Sequence, residues 1–288
     1  QPTISRRQRQ MCIRDRIFVT GVQALARIPM VQRQRDVLEG LNTAGFISGY
    51  RGSPVGGFDQ QLWRAKKFLE QNHIRFQPGL NEDLAASAIW GSQQTNLHEG
   101  GKYDGVFAIW YGKGPGVDRC GDVFKHGNMS GPAKHGGVLL IAGDDHAAKS
   151  STVPHQSEYA FMDASIPVLN PAGLQDIVDY GILGFAMSRF SGCWVAFKTT
   201  AENMDSSASI DVSPDRVKIS LPKFDMPEGG LSIRWPDDWI EQEHRLHQYK
   251  LNAVRAFARQ NKIDKTIINS QNPKLGVVTT GKSYLDVR

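Results

Sequence analysis

Short apolar runs alternate with helix-spaced stretches along the first two hundred residues, and this alternation restricts the fold more than any other feature of the chain. The runs are Gly45–Gly49, Ile74–Gln77, Val106–Tyr111, Val138–Gly143, Ile166–Leu169 and Cys193–Lys198, after a shorter apolar segment at Phe18–Gly21. Each has the length of a buried strand, and strands separated by helices predict an α/β fold with a parallel sheet. Between them the spacing predicts helices over Pro29–Asn42, Phe58–Gln71, Leu84–Leu97 and Leu174–Ser188. Proline is expected in the first turn of the first helix, where its missing N–H does no harm, with Val31, Val37, Leu38 and Leu41 on the apolar side. Asn81 is a good N-cap for the third.

In open parallel sheets, ligands bind outside the carboxyl ends of the strands. The loops expected there carry the unusual residues: Arg51-Gly-Ser-Pro54, Gly112–Asp118 and Asp144–Thr152.

Past Val212 the texture changes. Pro214, Pro222, Pro227, Gly229, Gly230 and Pro236 read as an extended connector, followed by a polar helix over Asp237–Asn261. Lys274–Thr280 then reads as a strand. The expected organisation is a disordered or non-native extension at 1–16, an α/β domain at 17–211 and a connector with its helix at 212–272. Residues 273–288 would hold the first strand of a second α/β domain, so the chain reads as a fragment.

The 288 residues carry a formal net charge of +5, but Arg6, Arg7, Arg9, Arg14 and Arg16 face only Asp15 in the first sixteen, so most of the excess is local. That disfavours a nucleic-acid surface. No apolar run approaches the roughly 20 residues of a membrane span. Cys12, Cys120 and Cys193 are far apart and unpaired by motif, which reads as reduced thiols in a cytoplasmic protein without its own zinc or iron–sulfur site. His126, His135, His146 and His155 recur at spacings unsuited to one metal, and no nucleophile-elbow pattern points to a hydrolase.

Three groups of residues invite a functional reading beside a structural one. Glu82 is a first-turn acid that can stabilise its helix through the dipole, or can do chemistry. Arg51 and Ser53 lie in a turn whose composition suffices to make it a turn, yet they could meet an anionic substrate. Lys113, Gly114 and Asp118 belong to a glycine-rich loop of the kind that lets backbone approach a ligand. A letter match to a phosphate-binding loop, Gly276–Ser283, has four β-branched interior residues that favour a strand instead.

Taken in order, Gly49-Tyr-Arg-Gly-Ser-Pro54, Asn81-Glu-Asp-Leu-Ala-Ala86, Trp110-Tyr-Gly-Lys-Gly-Pro-Gly-Val-Asp118 and Gly143-Asp-Asp-His-Ala-Ala-Lys-Ser-Ser151 resemble the thiamine-diphosphate pyrimidine-binding domain of 2-oxoacid:ferredoxin oxidoreductases. The long fused indolepyruvate ferredoxin oxidoreductases are most similar, and the likeness runs from about Ile17 to the end, including Pro154–Ala160. It implies an enzyme that oxidatively decarboxylates a 2-oxo acid, indolepyruvate or another aryl pyruvate, to an acyl-coenzyme A with ferredoxin as electron acceptor.

By motif position Glu82 would hydrogen-bond ring nitrogen N1′ of the cofactor, with Gly52, Ser53, Pro54, Lys113 and Gly114 around the pyrimidine. Arg51, Ser53, Asp118 and His146 would face substrate. Magnesium, the diphosphate and iron–sulfur clusters are expected on other domains or chains, and the chain alone would be incomplete. A homodimer is expected, with no nucleic acid or membrane as partner. The competing expectations are a nucleotide-binding module at Gly276–Ser283 and a non-catalytic α/β scaffold.

Overall fold

The computed structural model describes residues 16–148 and 153–288. The calls on residues 1–15, Cys12 and the arginines around it included, and on the last four residues of the Asp144–Thr152 loop lie outside the described residues.

Strand β1 (Arg16–Thr20) leads into helix α1 (Gly21–Leu38), then β2 (Ala44–Gly49), a short 3-10 turn at Val55–Gly57, α2 (Phe58–Arg64), α3 (Lys66–Gln71), β3 (Ile74–Phe76) and α4 (Glu82–Gln93). Next come β4 (Val106–Lys113), α5 (Gly114–Arg119), α6 (Gly121–Ser130), β5 (Val138–Asp144), α7 (Glu158–Asp163), β6 (Val168–Leu169), α8 (Leu174–Ser191) and β7 (Val195–Thr200). The chain continues through α9 (Ala201–Met204), β8 (Ser207–Asp211), α10 (Trp239–Arg245), a π-helical turn at Leu246–Lys250, α11 (Leu251–Gln260) and α12 (Ser283–Val287).

Six strands form a parallel sheet in the order β3-β2-β4-β5-β7-β6, while β1 and β8 make a separate antiparallel pair. The expected α/β class and parallel sheet are therefore present. Because side chains alternate across a strand, each central strand feeds two cores. Ile47, Ile109, Tyr111, Leu139, Ile141 and Phe197 pack on one face with Ile28, Ile182 and Phe185 of α1 and α8. Ala108, Trp110, Leu140, Ala142 and Ala196 pack on the other with Ala85, Ile89, Phe124 and Phe161. Helices α1 and α8 cross closely at Gly181, where a β-carbon would stand 2.7 Å from Ile28.

Several boundaries differ from the expected ones. Helix α1 starts eight residues early, at a capping box in which Gln23 N donates to Thr20 Oγ1 (3.3 Å) and Thr20 N donates to Gln23 Oε1 (3.0 Å). Pro29 is thus inside the helix, not in its first turn, and Val37 and Leu38 are exposed rather than core-facing. The helix at Phe58–Gln71 breaks at Ala65. The glycine-rich stretch after β4 is no open loop: the strand runs to Lys113 and Gly114–Arg119 is helical.

Beyond Val212, helix α11 folds back onto the domain. Ala253 and Phe257 are fully buried, and the Phe257 ring lies 5.9 Å from that of Phe190. Lys274–Thr280 forms no strand among the described residues, and it lacks any neighbouring strand to complete its backbone hydrogen bonds. Val278 is 101% exposed, so the β-branched run that suggested a buried strand covers nothing in this chain. No helix of the described residues is long and apolar enough to cross a membrane.

Candidate functional site

Strand register gathers the motif turns. Gly49 pairs with Tyr111, Lys113 with Gly143, and Asp144 with Thr200, so β2, β4, β5 and β7 end on one rim of the sheet. The Arg51–Pro54 turn leans across this rim. A β-carbon on Gly52 would stand 2.7 Å from the Lys113 side chain, and Pro54 Cδ lies 2.8 Å from where Gly143 would carry one. Gly52, Ser53 and Pro54 are half-buried there, whereas Arg51 is exposed.

Glu82 opens helix α4 on the same side. The capping that could have explained this acid is done by its neighbour: Leu84 N donates to Asn81 Oδ1 at 2.8 Å. The backbone of Glu82 is anchored to β4, where Trp110 Nε1 donates to the Glu82 carbonyl at 3.0 Å. Its side chain is turned inward. The residue is 7% exposed. Arg119 Nε stands 4.0 Å from Glu82 Oε2. Gly116 of α5 closes the other side, where a β-carbon would meet Glu82 Cγ at 2.5 Å and Oε1 at 2.9 Å.

A nearly buried carboxylate whose ion-pair partner stands as far as 4.0 Å away is unusual, because desolvating a charged group is costly without a close partner. It suits a ring nitrogen that can share a proton, so the residues present fit the aminopyrimidine half of thiamine diphosphate. Neighbouring Cys120 is no rival nucleophile: burial, with the Asp83 and Glu82 carboxylates beside it, pushes its thiol well above the usual range.

Helix α5 also borders an open cleft of about 580 Å³, lined by Asp118, His146, Pro154, His155, Gln156, Tyr159 and Ala160. Asp118 and His146 therefore meet in one place. Both are exposed, and Asp118 is held by His155 Nε2 at 2.8 Å.

Beneath the cleft is a polar cluster that sequence reasoning did not assign. Asp144 is buried at the end of β5 and accepts from Ser157 N (2.9 Å) and Ser157 Oγ (2.5 Å). Lys198 Nζ lies 3.4 Å from Asp144 Oδ2 and 2.5 Å from Glu158 Oε1. His155 Nδ1 lies 3.8 Å from Asp144 Oδ1. The Glu158 carboxyl is held low by the Lys198 ammonium and its own helix backbone, which outweigh burial, the largest single influence and one that acts in the opposite direction. The only signal in the sequence was period two: Ala142 and Asp144 share a face with Ala196 and Lys198.

The letter match at Gly276–Ser283 reaches the end of β6, where a β-carbon on Gly281 would stand 2.3 Å from Asn170 Oδ1. No strand precedes Gly276, and Ser283 begins a helix of five residues, so the strand–loop–helix that a phosphate-binding loop requires is missing among the described residues. Nor do the described residues contain a group of three or more His, Cys, Asp or Glu that could hold a metal ion.

No family model matches the chain. It is 23% identical to indolepyruvate oxidoreductase subunit IorA of Pyrococcus abyssi over 95% of this chain and 39% of that protein. The IorA subunits of Pyrococcus horikoshii (22%; 95% and 39%) and Methanothermobacter thermautotrophicus (20%; 94% and 40%) are similar over comparable shares. The chain thus spans about two fifths of the length of these curated relatives. Among solved structures, 2-oxoglutarate:ferredoxin oxidoreductase from Magnetococcus marinus, with 2-oxoglutarate, coenzyme A and succinyl-CoA bound, shares the fold with a TM-score of 0.56. That likeness has 15% identity and covers 84% of this chain and 46% of the other. Four such subunits are thus similar to nearly the whole of this chain, which supports the resemblance to indolepyruvate ferredoxin oxidoreductases, and the solved structure shares its α/β fold.

Proposed function

We propose that this chain supplies the aminopyrimidine-binding half of a thiamine-diphosphate site, in an oxidoreductase that decarboxylates an aryl pyruvate such as indolepyruvate to the acyl-coenzyme A and passes electrons to ferredoxin. The observation that carries the proposal is the nearly buried Glu82 carboxylate at the strand-end rim, backed by Gly116.

When bound, thiamine diphosphate supplies a thiazolium ring that accepts electrons as carbon dioxide leaves. The chain's own task is to orient and to move a proton. Glu82 holds a proton at ring nitrogen N1′, and its low exposure keeps water from competing for that proton. Gly52, Ser53, Pro54, Lys113 and Gly114 form the adjoining rim, with glycine where backbone must come close. Arg51, exposed beside them, offers a planar fork of donors to the substrate carboxylate, and Ser53 offers a hydroxyl. Asp118 and His146 face the rest of the substrate from the cleft.

The remaining domains of the full-length protein, or a second copy in a homodimer, would hold the diphosphate, magnesium and iron–sulfur clusters. The proposal places the protein in the cytoplasm, where thiols such as Cys120 and Cys193, free among the described residues, stay reduced. The proposal is tested with full-length protein by following ferredoxin reduction on addition of indolepyruvate and coenzyme A. Reduction that requires added thiamine diphosphate supports it. Tight ATP binding with no thiamine-diphosphate binding contradicts it.

A further inference from the structure

Helix α5 forms the wall against which Glu82 rests, yet it has only six residues, and no side chain caps its N-terminus. What fixes it comes from a segment nearly forty residues later. His155 Nε2 meets Asp118 Oδ2 at 2.8 Å, at the far end of α5. The same imidazole fills the space beside Gly114 at the near end, where a β-carbon would stand 2.2 Å from the ring. One side chain thus spans the helix from its first residue to its fifth.

His155 is in turn held over a rigid base. Ser157, two residues on, is fixed by two hydrogen bonds to buried Asp144, which pairs with Lys198, and Lys198 with Glu158 at the start of α7. The His155 side chain is mostly buried and sits between two carboxylates, Asp118 at 2.8 Å and Asp144 at 3.8 Å. Among the described residues no hydrogen bond or ion pair joins this cluster to Glu82; α5 links the two, by way of Gly116 on one side of the carboxylate and Arg119 on the other.

We propose that His155 is a positioning residue: it clamps α5 through Asp118 and Gly114, and so sets where Gly116 and Arg119 stand against the Glu82 carboxylate. The inference rests on the proposed pyrimidine-binding role of Glu82 and adds to it a residue assigned no part above. Misplacing a catalytic group by about an ångström can cost on the order of a hundredfold in rate, so a clamp remote from the reacting atoms is worth keeping.

The test uses the full-length protein with thiamine diphosphate and magnesium. Its readouts are the cofactor dissociation constant, the near-ultraviolet signature of the bound ring, kcat and KM for indolepyruvate, and thermal melting. His155→Gln keeps an amide donor near the Nε2 position and can still reach Asp118, whereas His155→Asn is too short. The expected result is a kcat about tenfold lower in His155→Asn with an altered ring signature, substantial recovery in His155→Gln, and similar melting of the two.

Equal behaviour of the Gln and Asn variants at wild-type kcat, while Glu82→Gln is impaired, overturns the clamp and leaves the Glu82 reading standing. Equal losses in the two that follow a shared fall in melting temperature show that His155 only fills space, and overturn it too. Wild-type behaviour of Glu82→Gln overturns the Glu82 reading, and the clamp with it.

Discussion

Gly116 lies so close to Glu82 that a β-carbon at position 116 would stand 2.5 Å from Glu82 Cγ. Two segments from different parts of the sequence, the start of α4 and the middle of α5, meet here because β4 joins them. Trp110 on that strand donates to the Glu82 carbonyl, and α5 follows from the strand's last residue. The carboxylate's place is therefore set by the sheet rather than by a loop.

Gly116→Ala should consequently push the Glu82 side chain out of position, since the three atoms nearest to an added β-carbon all belong to Glu82. Turnover of indolepyruvate by the full-length protein should fall by about a hundredfold, with a much smaller change in KM. Steady-state kinetics beside a thermal melt check this. A variant that melts as wild type and turns over as wild type would show that the contact does not matter.

Arg51 is exposed at the start of the turn after β2, so its removal should cost little stability. If it pairs with the substrate carboxylate, Arg51→Met should raise KM for the 2-oxo acid by about tenfold or more and leave thiamine-diphosphate affinity nearly unchanged. Measuring the two constants separately distinguishes a substrate contact from a cofactor contact.

Lys250 is buried and donates to the carbonyls of Asn128 (3.2 Å) and Met129 (2.7 Å), near the end of α6. Burial brings its ammonium down from 10.5 to about 8. Between those two pH values the unfolded chain binds more protons at this site than the folded one, so raising the pH favours folding. Relative to Lys250→Met, the wild type should gain stability as pH climbs from about 8 to 10.5 and show no such difference in slope below that window. Urea unfolding at several pH values reads the difference directly.

How far the sequence reveals this protein depends on whether a feature is local. Strands β2, β4, β5 and β7 were legible because each is a short apolar run ending in a glycine or polar turn, and burial on both faces makes such runs continuous. Helix α1 was misplaced because Pro29 looks like a start signal. The true start, Thr20 with Gln23, is polar and adjoins an exposed strand whose Phe18 is 76% exposed. The partner of that strand, Ser207–Asp211, is mostly polar and went unseen.

At the site, Glu82 was legible only through the ordered motifs around it, since an acid in a first turn has an ordinary explanation. His155 and Glu158 fall within the Pro154–Ala160 stretch of the resemblance, but the roles of these two residues and of Lys198 were not legible. Their partners lie 37 residues away for His155 and 40 for the Lys198–Glu158 pair, and a lysine near a strand's end reads as a solvent-exposed charge until register places it beside Asp144.

The most direct test of the account is the rate of indolepyruvate-dependent ferredoxin reduction by full-length Glu82→Ala, measured with saturating thiamine diphosphate beside the protein's thermal melt. The account predicts a fall of about a thousandfold in kcat with the fold preserved, since a group that moves a proton at N1′ is lost. Turnover near the wild-type rate in a folded Glu82→Ala protein would contradict it.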